Sequence, residues 1–370
     1  MTQTPGDGDL LYAVDPLVIE ATAAGLVVSS PRLPTRLHVQ PHIADLLLAA
    51  RDGVTPDGGG VAAPGAVAHL ARAGFLVPKE DTAAEPGIPW DAWGVTAWSL
   101  HNQTRDTPFV GSRSDDPAHL RDVLEEIASR PRPSAVRAPR TDRILLLPRV
   151  RAAMDVPYRD VLERRRTHRD FADEPIGLDT FSDMLHYCFA PLRFADAGPM
   201  GVLQLRAAAS GGARHETEAF VFVLHVTGVR PGLYHYDPVR HGLEPVAPDA
   251  GRDTLEHLTY GQGFFRHAAF GVLTAAVSHR MSWKYRHPRA YKLLLQNVGH
   301  VAQVFSMTAT ALGLGASLTG AIRDTEADAL LGLDSPAEFT TFALACGVPL
   351  RGPDGLPLSI RTPQEPPATF

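Results

Sequence analysis

The chain has 370 residues, more than one ordinary domain holds, so two units are expected. Its 44% hydrophobic and 21% charged content is that of a globular protein. A net charge of -6 and a pI near 6.2 disfavour a general nucleic-acid binder. No run approaches the roughly 20 apolar residues of a membrane helix. The opening "MTQTPGDGDLLYAVDP" lacks a basic segment followed by an apolar one, so a cytoplasmic location is expected. Cys188 and Cys346 stand apart from each other and from any His/Cys cluster. The reading is two small buried side chains, with neither a disulfide framework nor a metal.

In chain order, "LLYAVDPLVIEA" and "GLVVSS" carry the apolar and β-branched runs of short strands. "QPHIADLLLAARDG" has helical apolar spacing and an Asp-Gly stop, and "TPDGGG" is a loop. "APGAVAHLARAGFLVPKED" predicts a helix ending at Gly74, then a strand. Strands, a helix, then helix-Gly-strand over residues 1–83 resemble the winged-helix domain that clamps leader peptides in ribosomal-peptide pathways. A structural or dimerising winged helix has the same order, and few Lys or Arg between residues 40 and 80 disfavour DNA. Residues 84–150 are rich in Pro, Arg and Asp and are expected to be a connector. Within it, "RPRPSAVRAPR" predicts an exposed extended segment.

From Val156 onward the pattern mixes α and β. "YRDVLERRRTHRDF" begins helical, and "LDTFSDMLHYCFA" predicts a helix capped by Asp179. "AFVFVLHVTGV" and "FGVLTAAV" predict buried strands, and "GLYHYDPVRHGLEPV" a hairpin turning at Asp237-Pro238. "AYKLLLQNVGHVAQVFSMTATALGLGAS" predicts a long helix ending at Gly313, and "FTTFALACGVP" a closing strand.

Three motifs carry chemistry. In "ERRRTHRDF", guanidinium forks beside a hydroxyl suit a phosphate dianion, although a solvated basic face has the same composition. In "AAASGGARHETEAF", glycines before a buried strand let backbone approach a planar ring, or simply make a turn. "MSWKYRHPRAYKLLLQNVGH" sets Lys284 and Tyr285 at the mouth of an apolar helix. A lysine among cations has its pKa lowered, and a tyrosine beside a lysine is stabilised as the phenolate, so either can act as a base.

The spacing Arg-Arg-Thr-x-Arg-x-Phe resembles the opening FMN-binding motif of the nitroreductase superfamily, with Thr167 in place of the usual serine. Ser210, Gly211, Gly212 and Glu218 with "GLYHYD" resemble its azoline dehydrogenase branch, although Ala209 and Glu216 stand where proline is usual. Lys284, Tyr285, Arg289, Tyr291, Gly299, His300 and Gln303 also fit that branch. The resemblance covers residues 156–350. It implies an α+β nitroreductase-like fold over residues 151–370, a central mixed or antiparallel sheet wrapped by helices in a domain-intertwined homodimer. It implies FMN held by Arg165, Arg166, Thr167, Arg169, Ser210, Gly211, Gly212, Gln303, Leu318, Thr319 and Gly320, with Lys284 and Tyr285 catalytic. The implied reaction oxidises thiazolines or oxazolines to azoles on a precursor peptide, with oxygen as acceptor and a cyclodehydratase as a partner. An NAD(P)H-dependent nitroreductase or flavin reductase, and a peptide-binding scaffold without catalysis, are the competing expectations.

Overall fold

A computed structural model of the chain describes residues 10–57, 64–82, 90–107, 117–149, 154–353 and 355–358. Two compact units emerge, Met1–Pro108 and Phe109–Phe370, dividing inside the expected connector. Residues 1–9, 58–63, 83–89, 108–116 and 150–153 lie outside the description, and with them part of "TPDGGG" and part of the connector.

In the first unit the elements are β1 (Tyr12–Ala13), β2 (Val18–Thr22), β3 (Gly25–Ser29), β4 (Leu37–Val39), α1 (Pro41–Ala49), α2 (Pro64–Arg72), β5 (Leu76–Val77) and α3 (Trp90–Gln103). β2, β3 and β4 form an antiparallel sheet, and β1 pairs with β5. Leu46 and Leu47 of α1, Val67 and Leu70 of α2, and Phe75 bury together with Val28. Each is fully or almost fully removed from water, which makes the strands and helices one core. α3 is a helix inside the stretch expected to be a connector. Gly94, with φ 75 and ψ 176, splits it into two arms, so no single helical period runs through "WDAWGVTAWSLHNQ".

In the second unit the order is α4 (Pro117–Ala128), β6 (Leu145–Leu146), α5 (Tyr158–Arg164), α6 (Leu178–Phe189), β7 (Arg193–Asp196), β8 (Val202–Leu205), β9 (Thr217–Val223), β10 (Gly232–Asp237), β11 (Gly242–Ala247), α7 (Arg252–Leu258), α8 (Phe264–His267), β12 (Phe270–Val277), α9 (Ser278–Ser282), α10 (Arg289–Ala311), β13 (Gly315–Thr319), α11 (Asp324–Leu331) and β14 (Glu338–Gly347). Among the described residues a seven-stranded sheet runs β13-β14-β12-β9-β10-β11-β6, antiparallel throughout.

Both faces of that sheet are covered, which is why its central strands read as continuous apolar runs. Val221, Val223 and Val272 face α6 and α10, packing with Phe181, Leu185 and Phe305. Phe220, Phe222 and Leu273 face the opposite way, against Leu255, Phe265 and Leu331. The period-2 alternation thus distributes one apolar strand between two cores. Cys188 and Cys346 are both buried, and burial pushes the Cys188 thiol up to about 12. Among the described residues no helix is long and apolar enough to cross a membrane.

Two local expectations need correction. Asp179 does not cap α6: Gly177 holds the cap position with no side-chain bond, and Asp179 sits in the first turn. There its carboxylate still complements the helix dipole. Residues 130–140 are irregular, as expected, but they are not a free solvated strand. Arg130 and Trp283 exchange two bonds, Nη1 to the Trp283 carbonyl at 3.1 Å and the indole N–H to the Arg130 carbonyl at 3.3 Å. Arg137 pairs with Glu338 at 2.6 Å, and Arg280 donates to the Ser134 carbonyl at 2.8 Å. The arginines that make the segment look soluble are what fasten it down.

Candidate functional site

The loop Ala209–Glu216, ahead of β9, folds back on itself. Gly212, Ala213 and His215 all take positive φ, at 60, 51 and 45. The Ala213 amide donates to the Ser210 carbonyl at 2.9 Å, and the His215 amide to Ser210 Oγ at 2.9 Å. Two left-handed non-glycine residues are costly, so other contacts must hold the turn. Asn297 of α10 supplies them. Its Oδ1 accepts from the Gly211 amide at 3.1 Å, and its Nδ2 donates to Glu216 Oε1 at 2.9 Å. One turn further along the helix, His300 Nδ1 lies 3.0 Å from the Ala209 carbonyl. Burial pushes the Glu216 carboxyl up, opposed by the bonds from Asn297 and Ser210.

Gly211 and Gly212 are required by contact. A Cβ on Gly211 would stand 2.6 Å from Leu293 Cδ2. One on Gly212 would stand 2.9 Å from Tyr285 Oη and 3.0 Å from Lys284 Nζ. The Ser-Gly-Gly loop and the Lys-Tyr pair, some seventy residues apart, therefore meet at one point.

Lys284 and Tyr285 extend α9, their amides bonding to the Met281 carbonyl at 3.2 and 2.9 Å. Lys284 Nζ lies 5.4 Å from the Tyr285 ring centre. Burial, and then the charge of Arg214, hold the Lys284 ammonium below its usual value. Burial pushes the Tyr285 phenol up, with Arg214 opposing. The two candidate bases are thus driven in opposite directions, lysine toward its neutral amine and tyrosine toward its neutral phenol.

Behind them lies a buried ion pair. Glu218 and Arg280, both almost wholly buried, approach to 2.5 Å, and His235 Nε2 lies 2.7 Å from the other Glu218 oxygen. Burial alone would raise the Glu218 carboxyl, but the His235 bond and the Arg280 charge overcome it and bring it down to about 2. Arg280 also donates to the His215 carbonyl at 3.1 Å, locking the end of the loop. Neither Asn297 nor Arg280 stood out as a site residue in the sequence. The available signal was Glu218, an acid in an otherwise apolar strand, which requires a cation nearby.

The arginine segment is built on a different edge. α5 ends at Arg164, and Arg165 leaves the helix at φ -56, ψ 122. Thr167 then bridges Ala316 of β13, and the His168 amide donates to the Ala316 carbonyl at 2.8 Å. His168 and Phe171 both turn inward and are buried. Arg166, Thr167 and Arg169 remain exposed, and Arg165 is half-buried. Burial, followed by the charges of Arg351, Arg165 and Arg166, lowers the His168 imidazole. Whereas Arg164 pairs with Asp160 at 3.2 Å, Arg165, Arg166 and Arg169 face no carboxylate among the described residues. His168 Nδ1 and Ser317 Oγ nearby are buried without a hydrogen-bond partner among those residues.

β13 connects this segment to the remaining sequence candidates. Leu318 pairs with Leu344 and packs against the core, Thr319 Oγ1 accepts the Ala321 amide at 3.1 Å, and Gly320 lies at the strand end. Gln303 is exposed on α10. No direct bond joins the arginine segment to the Ser210 loop among the described residues; α10 packs against α5, β13 and the turn Gly211–Ala213 alike and is the platform they share.

Asn297 is the test of that platform. Replacing it with alanine strands the Gly211 amide and removes a donor from the buried Glu216 carboxyl, at a cost of about 2–4 kcal/mol. The melting temperature is expected to fall by roughly 4–12 °C in calorimetry. An unchanged melting curve would show that the loop stands without it.

Residues 162–348 match the nitroreductase family model. A nitroreductase-type protein of Methanocaldococcus jannaschii (MJ1384) is 30% identical over 172 residues, 46% of this chain and 82% of that protein. The trifolitoxin operon protein TfxC of Rhizobium leguminosarum bv. trifolii is 27% identical over 270 residues, 70% of this chain and 74% of its own. From the same bacterium, the trifolitoxin-processing protein TfxB is 26% identical over 165 residues, 43% of this chain and 44% of TfxB, so the chain spans less than half of that relative. With a sheet covered on both faces and the family pattern running from α5 to the end of β14, the chain belongs to the nitroreductase family.

Proposed function

We propose that this protein is an FMN-dependent azoline dehydrogenase, oxidising thiazoline or oxazoline rings of a ribosomally made precursor peptide to thiazoles or oxazoles, with oxygen as the final acceptor. The observation that carries the reading is Lys284 packed on the Gly212 backbone, with its ammonium pKa depressed by burial and by Arg214. Two of the similar proteins are named for trifolitoxin, TfxC as an operon protein and TfxB as a trifolitoxin-processing protein.

The residues present fit FMN. Arg165, Arg166 and Arg169, without carboxylate partners among the described residues, and the exposed Thr167 hydroxyl offer charge-assisted donors to a phosphate. Gln303, Leu318, Thr319 and Gly320 would meet the ring system, together with Ser210, Gly211 and Gly212. When bound, FMN supplies a two-electron acceptor for hydride. The chain must then orient the azoline and accept the proton from the adjacent ring carbon. Lys284 does this as a neutral amine, while Tyr285, kept protonated, donates a hydrogen bond. Loss of one hydride and one proton makes the ring aromatic. The chain works as a homodimer, and its first unit grips a leader peptide or docks to the cyclodehydratase that makes the azoline.

The experiment is anaerobic mixing of the FMN-loaded protein with a thiazoline peptide. Flavin bleaching and a peptide mass loss of about 2 Da are expected, with slow bleaching by NADPH alone. Rapid bleaching by NADPH without change in the peptide would mark a flavin reductase. A protein that takes up no flavin yet binds peptide would be a scaffold.

A further inference from the structure

Beside the Lys284–Gly212 contact the surface opens into a small cleft, lined by Arg132, Val202, Gln204, Arg214, His215 and Arg280 among others. Its charge is one-sided. Arg280 is neutralised by Glu218 at 2.5 Å. His215 is pushed down to about 4 by burial and by the charge of Arg206, so at neutral pH it adds none. What remains are Arg132 and Arg214, and neither faces a carboxylate among the described residues. Their bonds go to backbone: Arg132 Nη2 to the Val202 carbonyl at 2.8 Å, and Arg214 Nε to the Gly212 carbonyl at 2.8 Å.

Both guanidiniums are pre-positioned. Their central carbons lie 5.8 and 4.9 Å from the Trp283 ring centre, within cation–π range. Trp283 is itself fixed through its two bonds with Arg130. Arg132 lies against Gly201, whose φ of +67 and missing Cβ give it the space. Holding two like charges together is unfavourable: after burial, Arg132 is the main influence lowering the Arg214 pKa. An anion placed between them relieves that repulsion and is met by planar forks suited to a carboxylate.

We propose that the Arg132–Arg214 cleft is an anion subsite that receives a carboxylate of the peptide substrate and thereby sets the reacting ring beside Gly212 and Lys284. The proposal rests on the peptide-dehydrogenase reading for the identity of its ligand, and on the cleft alone for the chemistry of that ligand. Two sources are open to a peptide: its C-terminal carboxylate and an acidic side chain next to the ring.

Binding is measured first, on the FMN-loaded full chain, by ligand-observed NMR titration with hippurate (a benzoylated glycine) and its neutral amide, hippuramide. Hippurate is expected to bind the wild type at least about tenfold more tightly than hippuramide. In Arg132→Gln and in Arg214→Gln its affinity is expected to fall to that of the amide, while hippuramide is unaffected. Equal affinity of the two ligands for the wild type, no detectable hippurate binding, or undiminished hippurate binding by both variants overturns the proposal. Turnover then identifies the source. A thiazoline peptide with a free C-terminus, its amidated form, and an amidated form with glutamate after the ring are compared in wild type and in Arg132→Gln. An acid preference that vanishes in the variant assigns the source, whereas equal turnover of all three overturns the peptide assignment. If no azoline peptide turns over while hippurate still binds through the two arginines, the dehydrogenase reading fails and the anion subsite stands.

Discussion

Replacing Lys284 with alanine should leave FMN bound and lower azoline turnover by about 10²–10⁴-fold, the usual contribution of a positioned general base. The flavin is retained because the lysine stacks on the Gly212 backbone and Tyr285 and is remote in sequence from the arginines proposed to hold the phosphate. The sign of the pH dependence follows from the depressed pKa. Below that value Lys284 carries a proton and cannot accept another; above it the amine is free. Turnover therefore rises with pH through a value lower than that of an ordinary lysine and then levels off. In the alanine variant this rising limb disappears. Lys284→Arg, which keeps the charge but does not deprotonate, should be equally inactive. Tyr285→Phe should lose only about tenfold, since the phenol donates a hydrogen bond and is disfavoured as phenolate. Wild-type turnover by Lys284→Ala, with an inactive Tyr285→Phe, would reverse the assignment of the base.

The double replacement of Arg165 and Arg169 with alanine should yield a folded, colourless protein. Charge-assisted bonds of this kind are worth about 1.5–3 kcal/mol each, so losing both weakens FMN binding by about 10²–10⁴-fold. Stability of the apoprotein should change little, since Arg169 is exposed and the inward anchors of the segment are His168 and Phe171. Arg164→Ala is the matched control. That guanidinium pairs with Asp160 on the same helix, and its loss should leave flavin retention intact. The checks are visible absorbance after gel filtration and the melting temperature without added FMN. A double variant as yellow as the wild type would place the phosphate elsewhere.

Much of the fold was legible in the residues, for identifiable reasons. The strand "FGVLTAAV" has apolar side chains on both faces because both faces are covered, and the helix from Arg289 ends where Gly313 takes a φ of 74. The helical spacing of α4 was present in Leu120, Val123, Leu124 and Ile127, but the surrounding charge and proline hid it and the stretch was expected to be a connector instead. The β7–β8 hairpin was not legible. Its strands expose Phe194, Val202 and Leu205, so burial imposes no strong alternation there.

Local chemistry is carried by neighbours along the chain, and so the residues alone were enough to mark Arg165–Arg169, Ser210–Gly212 and Lys284–Tyr285 as special. Their meeting is another matter. Nothing in the order of residues brings Asn297 to the Gly211 amide, sets Arg280 on Glu218, or places Arg132 and Arg214 near Trp283. Each of these joins segments tens of residues or more apart, through a sheet and a helix packed upon it. The opposite displacement of the Lys284 and Tyr285 pKa values likewise comes from burial beside the Arg214 charge, an environment that exists only once the chain has folded.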